Sequence, residues 1–213
     1  MTGTAETDYS PLALTASTRP HIVLVRHGET AWSATGRHTG LTDIPLTGRG
    51  EDQARGAGRI IAGYDFGLVV ASPLGRSLTT AALAGHPEAA PLADLVEWDY
   101  GGYEGLTTPE IRARTGDDWT VWQGVPAGAT PGEDLEAVRV RAARALERVR
   151  PVLDSGRDVL VFSHSHFLRV FASVWLRRPD AGERLFLGTG SVSALGTEHG
   201  SPVVAAWNIT PMG

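Results

Sequence analysis

Three stretches of the chain share one pattern: a short, unbroken apolar run that ends abruptly in a polar group. "HIVLVRHG" is apolar through Ile22 to Val25 and then meets Arg26 and His27. "FGLVVASPLGRSLTTAALAG" runs apolar over Leu68 to Ala71, turns at Ser72-Pro73, and continues into a helix-like stretch that carries Arg76. "DVLVFSHSHFLRVFASVWL" is apolar over Val159 to Phe162, then presents Ser163-His164 before an amphipathic helix. Apolar runs of this length, without alternation, predict strands covered on both faces, as in a parallel sheet. Pro73 suits the first turn of a helix, with Ser72 as its cap.

Between these strands the period changes to that of helices. "TGRGEDQARGAGRIIAGY" predicts a helix capped by Thr47, although its glycines weaken it. "EDLEAVRVRAARALERVRPVL" places Leu135, Val138, Ala142, Ala145, Leu146 and Val149 at helical spacing, with the arginines of 139–150 read as a solvated face. The final segment, "RLFLGTGSVSALGTEHGSPVVAAWNI", alternates around glycine turns and predicts a hairpin at the sheet edge. Strand and helix in alternation predict an α/β fold: a doubly wound, mostly parallel sheet flanked by helices. Residues 99–131 break the pattern. They are rich in Trp, Gly, Pro and Thr, with one helix predicted at "TPEIRART" (Thr108 as cap, Pro109 first), and are expected to form a small cap. Residues 1–20 read as a flexible tail, leaving one domain over 21–213.

Composition narrows the function. The 213 residues suffice for a single domain with a substantial core. Lys and Arg number 19 against 24 Asp and Glu, a net charge of −5, which argues against nucleic acid or an anionic membrane as partner. No apolar run reaches transmembrane length, and the N-terminus lacks the basic and apolar regions of a signal peptide, so a soluble cytoplasmic protein is expected. The absence of cysteine excludes disulfides and thiolate chemistry.

In open α/β sheets, ligands bind beyond the carboxyl ends of the strands. Arg26-His27, Ser72 with Arg76, and Ser163-His164 should therefore converge. Arginine forks match phosphate oxygens in pairs, so Arg26 and Arg76 suit a phosphoryl group. A histidine there can attack phosphorus, and two nearby guanidinium groups would keep His27 neutral for that step. The leaving oxygen needs a proton, for which "LVEWDYGGYEG" offers Glu97, Asp99 and Glu104. Glu97, after Leu95-Val96, is expected deep at another strand end, with Glu104 as its substitute. Other readings stay open: His164 and His166 as two metal ligands, a non-catalytic phospholigand-binding module, and the cluster Trp98, Tyr100, Tyr103, Trp119 and Trp122 as cap packing. His21, His38, His86 and His199 read as structural or solvated.

"LVRHGETAW" resembles the signature of the histidine phosphatase, or phosphoglycerate mutase-like, superfamily. The resemblance runs from about residue 21 to 176 and includes "GRHTGLTDIPLTGRG", "ASPLGRSLTTA", "EWDYGGYEGLT", "WTVWQGVPAGATPGED" and "FSHSHFLRV". Within it the chain looks most like bacterial acid phosphatases and sedoheptulose-bisphosphatase-like sugar phosphatases. The resemblance implies His27 as phosphorylated nucleophile, Glu97 as proton donor, and Arg26, Arg76 and His164 as the rest of the phosphate pocket. It implies a substrate side at Ser33, Thr39, Gly40, Trp98, Tyr100, Gly101 and Ser165. Ser33 stands where many relatives carry Asn, Ser165 replaces the commoner Gly, and Trp98 stands where mutases carry an arginine. The implied activity is metal- and cofactor-independent hydrolysis of a small phosphate ester, a sugar phosphate being expected and a mutase the rival. Oligomeric state stays open, a homodimer included.

Overall fold

Parallel pairing of the apolar runs builds the centre of the molecule. The computed structural model describes residues 12, 14, 18–116, 118–125 and 130–211. Strand β1 (Ile22–Arg26) pairs in parallel with β4 (Asp158–Ser163), which pairs in parallel with β2 (Phe66–Ala71), and β2 with the short β3 (Ala90–Pro91). The predicted terminal hairpin, β5 (Val192–Glu198) and β6 (Ser201–Ile209), adds antiparallel beside β1. The six-stranded order is β3-β2-β4-β1-β5-β6.

Helices cover both faces because successive strand residues point to opposite sides, while the short α1 (Ala31–Ala34) follows β1. Ile22, Leu24, Val159 and Val161 pack with α5 (Leu135–Asp154) and α6 (Ser165–Leu176). Val23, Val25, Leu160 and Phe162 pack with α2 (Gly48–Ile61) and α3 (Gly75–Leu83). The cap segment contributes α4 (Thr108–Thr115), and its Tyr103, Ile111 and Trp119 join the first of these clusters, as aromatic packing predicted.

Local signals held with small displacements. Thr47 caps α2 by accepting from the Gly50 N–H at 3.0 Å. Helix α4 is capped by Thr107, one residue before the expected Thr108, because Glu110 completes a capping box with Thr107. Ser72 does not cap α3, which begins at Gly75; the carboxylate of Asp43 accepts the Gly75 and Arg76 N–H groups instead. Glu97 does not end a strand. It follows a 3₁₀ turn at Ala93–Leu95, and is buried all the same. Most of the 1–20 segment read as a tail lies outside the described residues. Leu12 and Leu14 are described and pack on the second cluster, and Arg19 pairs with Asp158 at 2.8 Å, so this part of the segment is docked.

Candidate active site

Strand register brings the three polar ends together. Arg26 stands beside Ser163, the His27 N–H donates to the Ser163 carbonyl at 2.9 Å, and the Ser72 N–H donates to the Phe162 carbonyl at 2.9 Å. His27 is 4% exposed. Its Nδ1 lies 2.7 Å from the carbonyl oxygen of Gly28, an atom that only accepts. Nδ1 therefore carries the ring proton and Nε2 keeps a free lone pair. Gly28 packs directly on the carbonyl of Gly50, where a side chain would collide with backbone, which accounts for glycine after the histidine.

His164 lies beneath, its ring edge-on to His27 at 5.1 Å between centroids and its Nε2 2.8 Å from the Ser72 hydroxyl. Arg26 donates through Nη1 to the Leu187 carbonyl at 2.5 Å, and no carboxylate among the described residues pairs with it. Arg76 is fully enclosed: Nη2 donates to the Gly40 carbonyl at 2.7 Å, and Nη1 to the Thr42 carbonyl at 3.0 Å and Asp43 at 3.3 Å. Its guanidinium thus straps the 39–43 loop to α3 and contributes charge from behind the pocket wall.

The pocket itself encloses about 210 Å³. Of the residues expected from sequence, Arg26, His27, Ser33, Thr39, Glu97, Tyr100 and Ser165 line it, whereas Arg76, His164, Gly40, Trp98 and Gly101 do not. Trp98 is buried, its indole N–H donating to the Glu133 carbonyl at 2.8 Å. The Gly101 N–H donates to Asp99 at 2.8 Å, which leaves this glycine shaping the cap. Glu104 is also removed from the pocket: its carboxylate accepts from the Leu41 and Thr42 N–H groups and the Thr42 hydroxyl.

Glu97 lines the pocket with its carboxylate held at the start of α6. Its Oε1 accepts from the N–H groups of Trp98 (2.9 Å) and Phe167 (2.8 Å), and Oε2 from that of His166 (3.2 Å). Arg141 fixes the segment that carries it. Its guanidinium donates to the carbonyls of Asp94, Val96 and Glu97 and forms a two-point pair with Glu133 at 2.7 and 2.6 Å. This arginine belongs to the series read as solvated, yet it is buried; it lies three residues after Val138 and four before Ala145, the spacing of the core face.

Burial pushes His27 well below its usual pKa, and the charges of Arg26 and Arg76 push it the same way. Glu97 moves oppositely: burial raises it, and wins over the lowering from the Trp98, Phe167 and His166 N–H groups and Arg76. Arg26 is brought down to about 10 by burial, still charged near neutrality. The site therefore favours a neutral histidine and shifts the Glu97 carboxyl toward its protonated form, two tendencies suited to attack and proton donation.

The outer wall holds residues that the sequence reading passed over, Arg37, Arg169 and Phe186, or gave another role, His38 and His166. Arg37, His38, His166, Arg169 and Phe186 all line the pocket. His38, read as structural or solvated, is lowered to about 4 by burial and meets the Thr108 hydroxyl at 3.1 Å. His164 and His166, considered as a metal pair, turn to different partners: Ser72 for the first, the Tyr100 hydroxyl at 2.6 Å for the second. Arg169 lies over the Trp122 ring at 4.7 Å and donates to the carbonyls of Gly182 and Glu183.

Comparison with known proteins shows the family. The family profile of the histidine phosphatase superfamily (branch 1) matches residues 22–210. This chain belongs to that superfamily. An acid phosphatase of Mycobacterium tuberculosis is 42% identical over 193 residues, covering 89% of this chain and 92% of the relative. The sedoheptulose 1,7-bisphosphatase of Saccharomyces cerevisiae is 36% identical over 188 residues, covering 75% and 68%. A solved structure of an open reading frame from Mycobacterium tuberculosis superposes with a TM-score of 0.84 at 42% identity, covering 91% of this chain and 100% of the other. The histidine phosphatase fold is thus shared across the doubly wound sheet, and the chain is a phosphatase. No helix among the described residues is long and apolar enough to cross a membrane.

Proposed function

We propose that this histidine phosphatase hydrolyses a small sugar or polyol phosphate, without a metal, through a phosphohistidine at His27. In the first step His27 Nε2 attacks phosphorus as the bond from phosphorus to the ester oxygen breaks. Glu97 gives its proton to that oxygen, and the alcohol departs. In the second step the Glu97 carboxylate takes a proton from water, whose oxygen attacks the phosphohistidine. Inorganic phosphate leaves, and neutral His27 and protonated Glu97 return. Arg26 holds the phosphoryl oxygens from the pocket wall, while Arg76 stabilises their charge from behind it.

The observation that carries this reading is the Nδ1 contact of His27 with Gly28, which frees Nε2 in the pocket that Glu97 lines. Hydrolysis is favoured over phosphoryl transfer between substrates because the residue after Glu97 is a buried tryptophan, where the resemblance places a mutase arginine. The names of the acid phosphatase and bisphosphatase relatives support the same direction. Inorganic phosphate release from sugar phosphates, phosphoglycerates and nucleotides, measured in excess EDTA, tests it. Release should survive EDTA and favour sugar or polyol esters; loss of release in EDTA would overturn the metal-free assignment.

A further inference from the structure

Glu97 and His27 account for bond making and breaking, but not for the second half of the "SHSH" run. His166 is the second residue of α6, and its N–H donates to Glu97 Oε2 at 3.2 Å. His166 lines the same pocket as the carboxyl that protonates the departing oxygen. The ring is not free to turn. The Tyr100 hydroxyl holds Nδ1 at 2.6 Å, while His38 stacks at 6.1 Å and Trp122 meets the ring edge-on at 5.8 Å between centroids.

The direction of the Tyr100 hydrogen bond follows from the chemistry of the pair. A neutral phenol is a better donor than a neutral imidazole N–H, and an imidazole nitrogen a better acceptor than a phenol oxygen. Burial holds Tyr100 protonated and His166 neutral, since both charged forms are penalised there. Tyr100 therefore donates to Nδ1, and the ring proton of His166 resides on Nε2. Beside it Arg169 adds a cation with no carboxylate partner among the described residues. This wall is consequently rich in donors and poor in acceptors.

We propose that His166, oriented by Tyr100, is a specificity-determining residue whose Nε2–H donates to an oxygen on the alcohol half of the substrate, next to the ester. This assignment rests on the phosphatase reading above. It selects polyol and sugar phosphates against simple alkyl phosphates, because a site built to bind an oxygen leaves its donor unpaired when that oxygen is missing.

A matched pair of esters tests it: glycerol 1-phosphate and 1-propyl phosphate differ only in the hydroxyls, and p-nitrophenyl phosphate reports the phosphoryl chemistry. Wild type should prefer glycerol 1-phosphate. His166→Leu should lower kcat/KM for that ester about 100-fold, with the other two changed less than about threefold. His166→Gln, which places an amide N–H near the position of Nε2, should restore most of the loss. Long-range nitrogen–proton NMR on the full chain should find the His166 proton on Nε2, and Tyr100→Phe should mix the tautomers. Equal losses on all three esters in His166→Leu, no hydroxyl preference in wild type, or a proton on Nδ1 would each overturn the assignment. No hydrolysis of any ester by wild type would instead overturn the phosphatase reading, and this assignment with it.

Discussion

The floor of the pocket and its outer wall are made in different ways. The floor is set by the backbone of parallel strands: His27, which lines it, and His164, which supports His27 from outside the pocket, directly follow β1 and β4, and main-chain bonds such as that from His27 to Ser163 fix their spacing. Wall residues come from loops, the cap and the start of α6, and side chains hold them: Tyr100 on His166, Thr108 on His38, Trp122 beneath Arg169. A site on strand ends inherits its geometry from the sheet, whereas a site on loops needs a bond for each member. The floor should thus carry chemistry shared by any phosphate ester, and the wall the choice among esters.

The largest expected effect attacks the floor. His27→Ala should lower kcat by at least about 10⁴-fold on every ester, as loss of a nucleophile does, while vanadate binding persists; steady-state kinetics and inhibitor titration read both. Glu97→Gln should be smaller and selective. We expect about 10²–10⁴-fold loss on sugar and alkyl phosphates, but much less on p-nitrophenyl phosphate, whose leaving group departs unprotonated. An equal loss on both would remove Glu97 as the acid.

Arg141→Met probes the join between the regions. It leaves the Glu133 carboxylate without its cation, with only the Asp99 N–H still donating to it, and removes a donor from three carbonyls. We expect a destabilisation of about 3 kcal/mol, read by denaturant melts, and a kcat loss that follows the displaced Glu97. A stability loss with unchanged kcat would show that Arg141 serves the fold alone.

The smallest effects are those of pH. Activity needs His27 neutral and Glu97 protonated, so rate is gained as pH rises past the lowered His27 pKa and lost as it rises past the raised Glu97 pKa. Sugar phosphate hydrolysis should therefore peak on the acid side and fall toward alkali, with a shallower fall for p-nitrophenyl phosphate. Stability runs differently. His27, His164 and His166 are all lowered in the folded chain, mainly by burial, so below about pH 6.5 the unfolded chain binds protons the folded one refuses. Thermal stability should decline as pH falls through that range; Glu97, raised in the fold, opposes this with a contribution that fades as pH rises.

The same division explains what the sequence made legible. Apolar runs ending in Arg26-His27, Ser72 and Ser163-His164 mark strand ends, and the sheet brings them together as that pattern predicts. Burial of Glu97 was readable from Leu95-Val96, but not its 3₁₀ setting, since the carboxyl is held by N–H groups of α6, about seventy residues away in sequence. Arg76 matched a phosphate ligand by type, yet the carbonyls that surround it lie in a loop without periodicity. His38, Arg37 and Phe186 carry no local signal, because they reach the pocket from segments without periodicity, Phe186 staying largely exposed at its rim. Trp98 and Gly101 were placed on the substrate side by resemblance; the bonds to Glu133 and Asp99 draw them into the cap instead.

Phosphorylation of His27 underlies every step of the proposed reaction, and rapid quench of the wild-type enzyme with a ³²P-labelled ester detects it. Under alkaline quench, which preserves phosphohistidine, label should appear transiently on the peptide containing His27, at a rate no slower than turnover, and be absent from His27→Ala. Turnover without label on that peptide, or label on another residue, would remove His27 as the nucleophile.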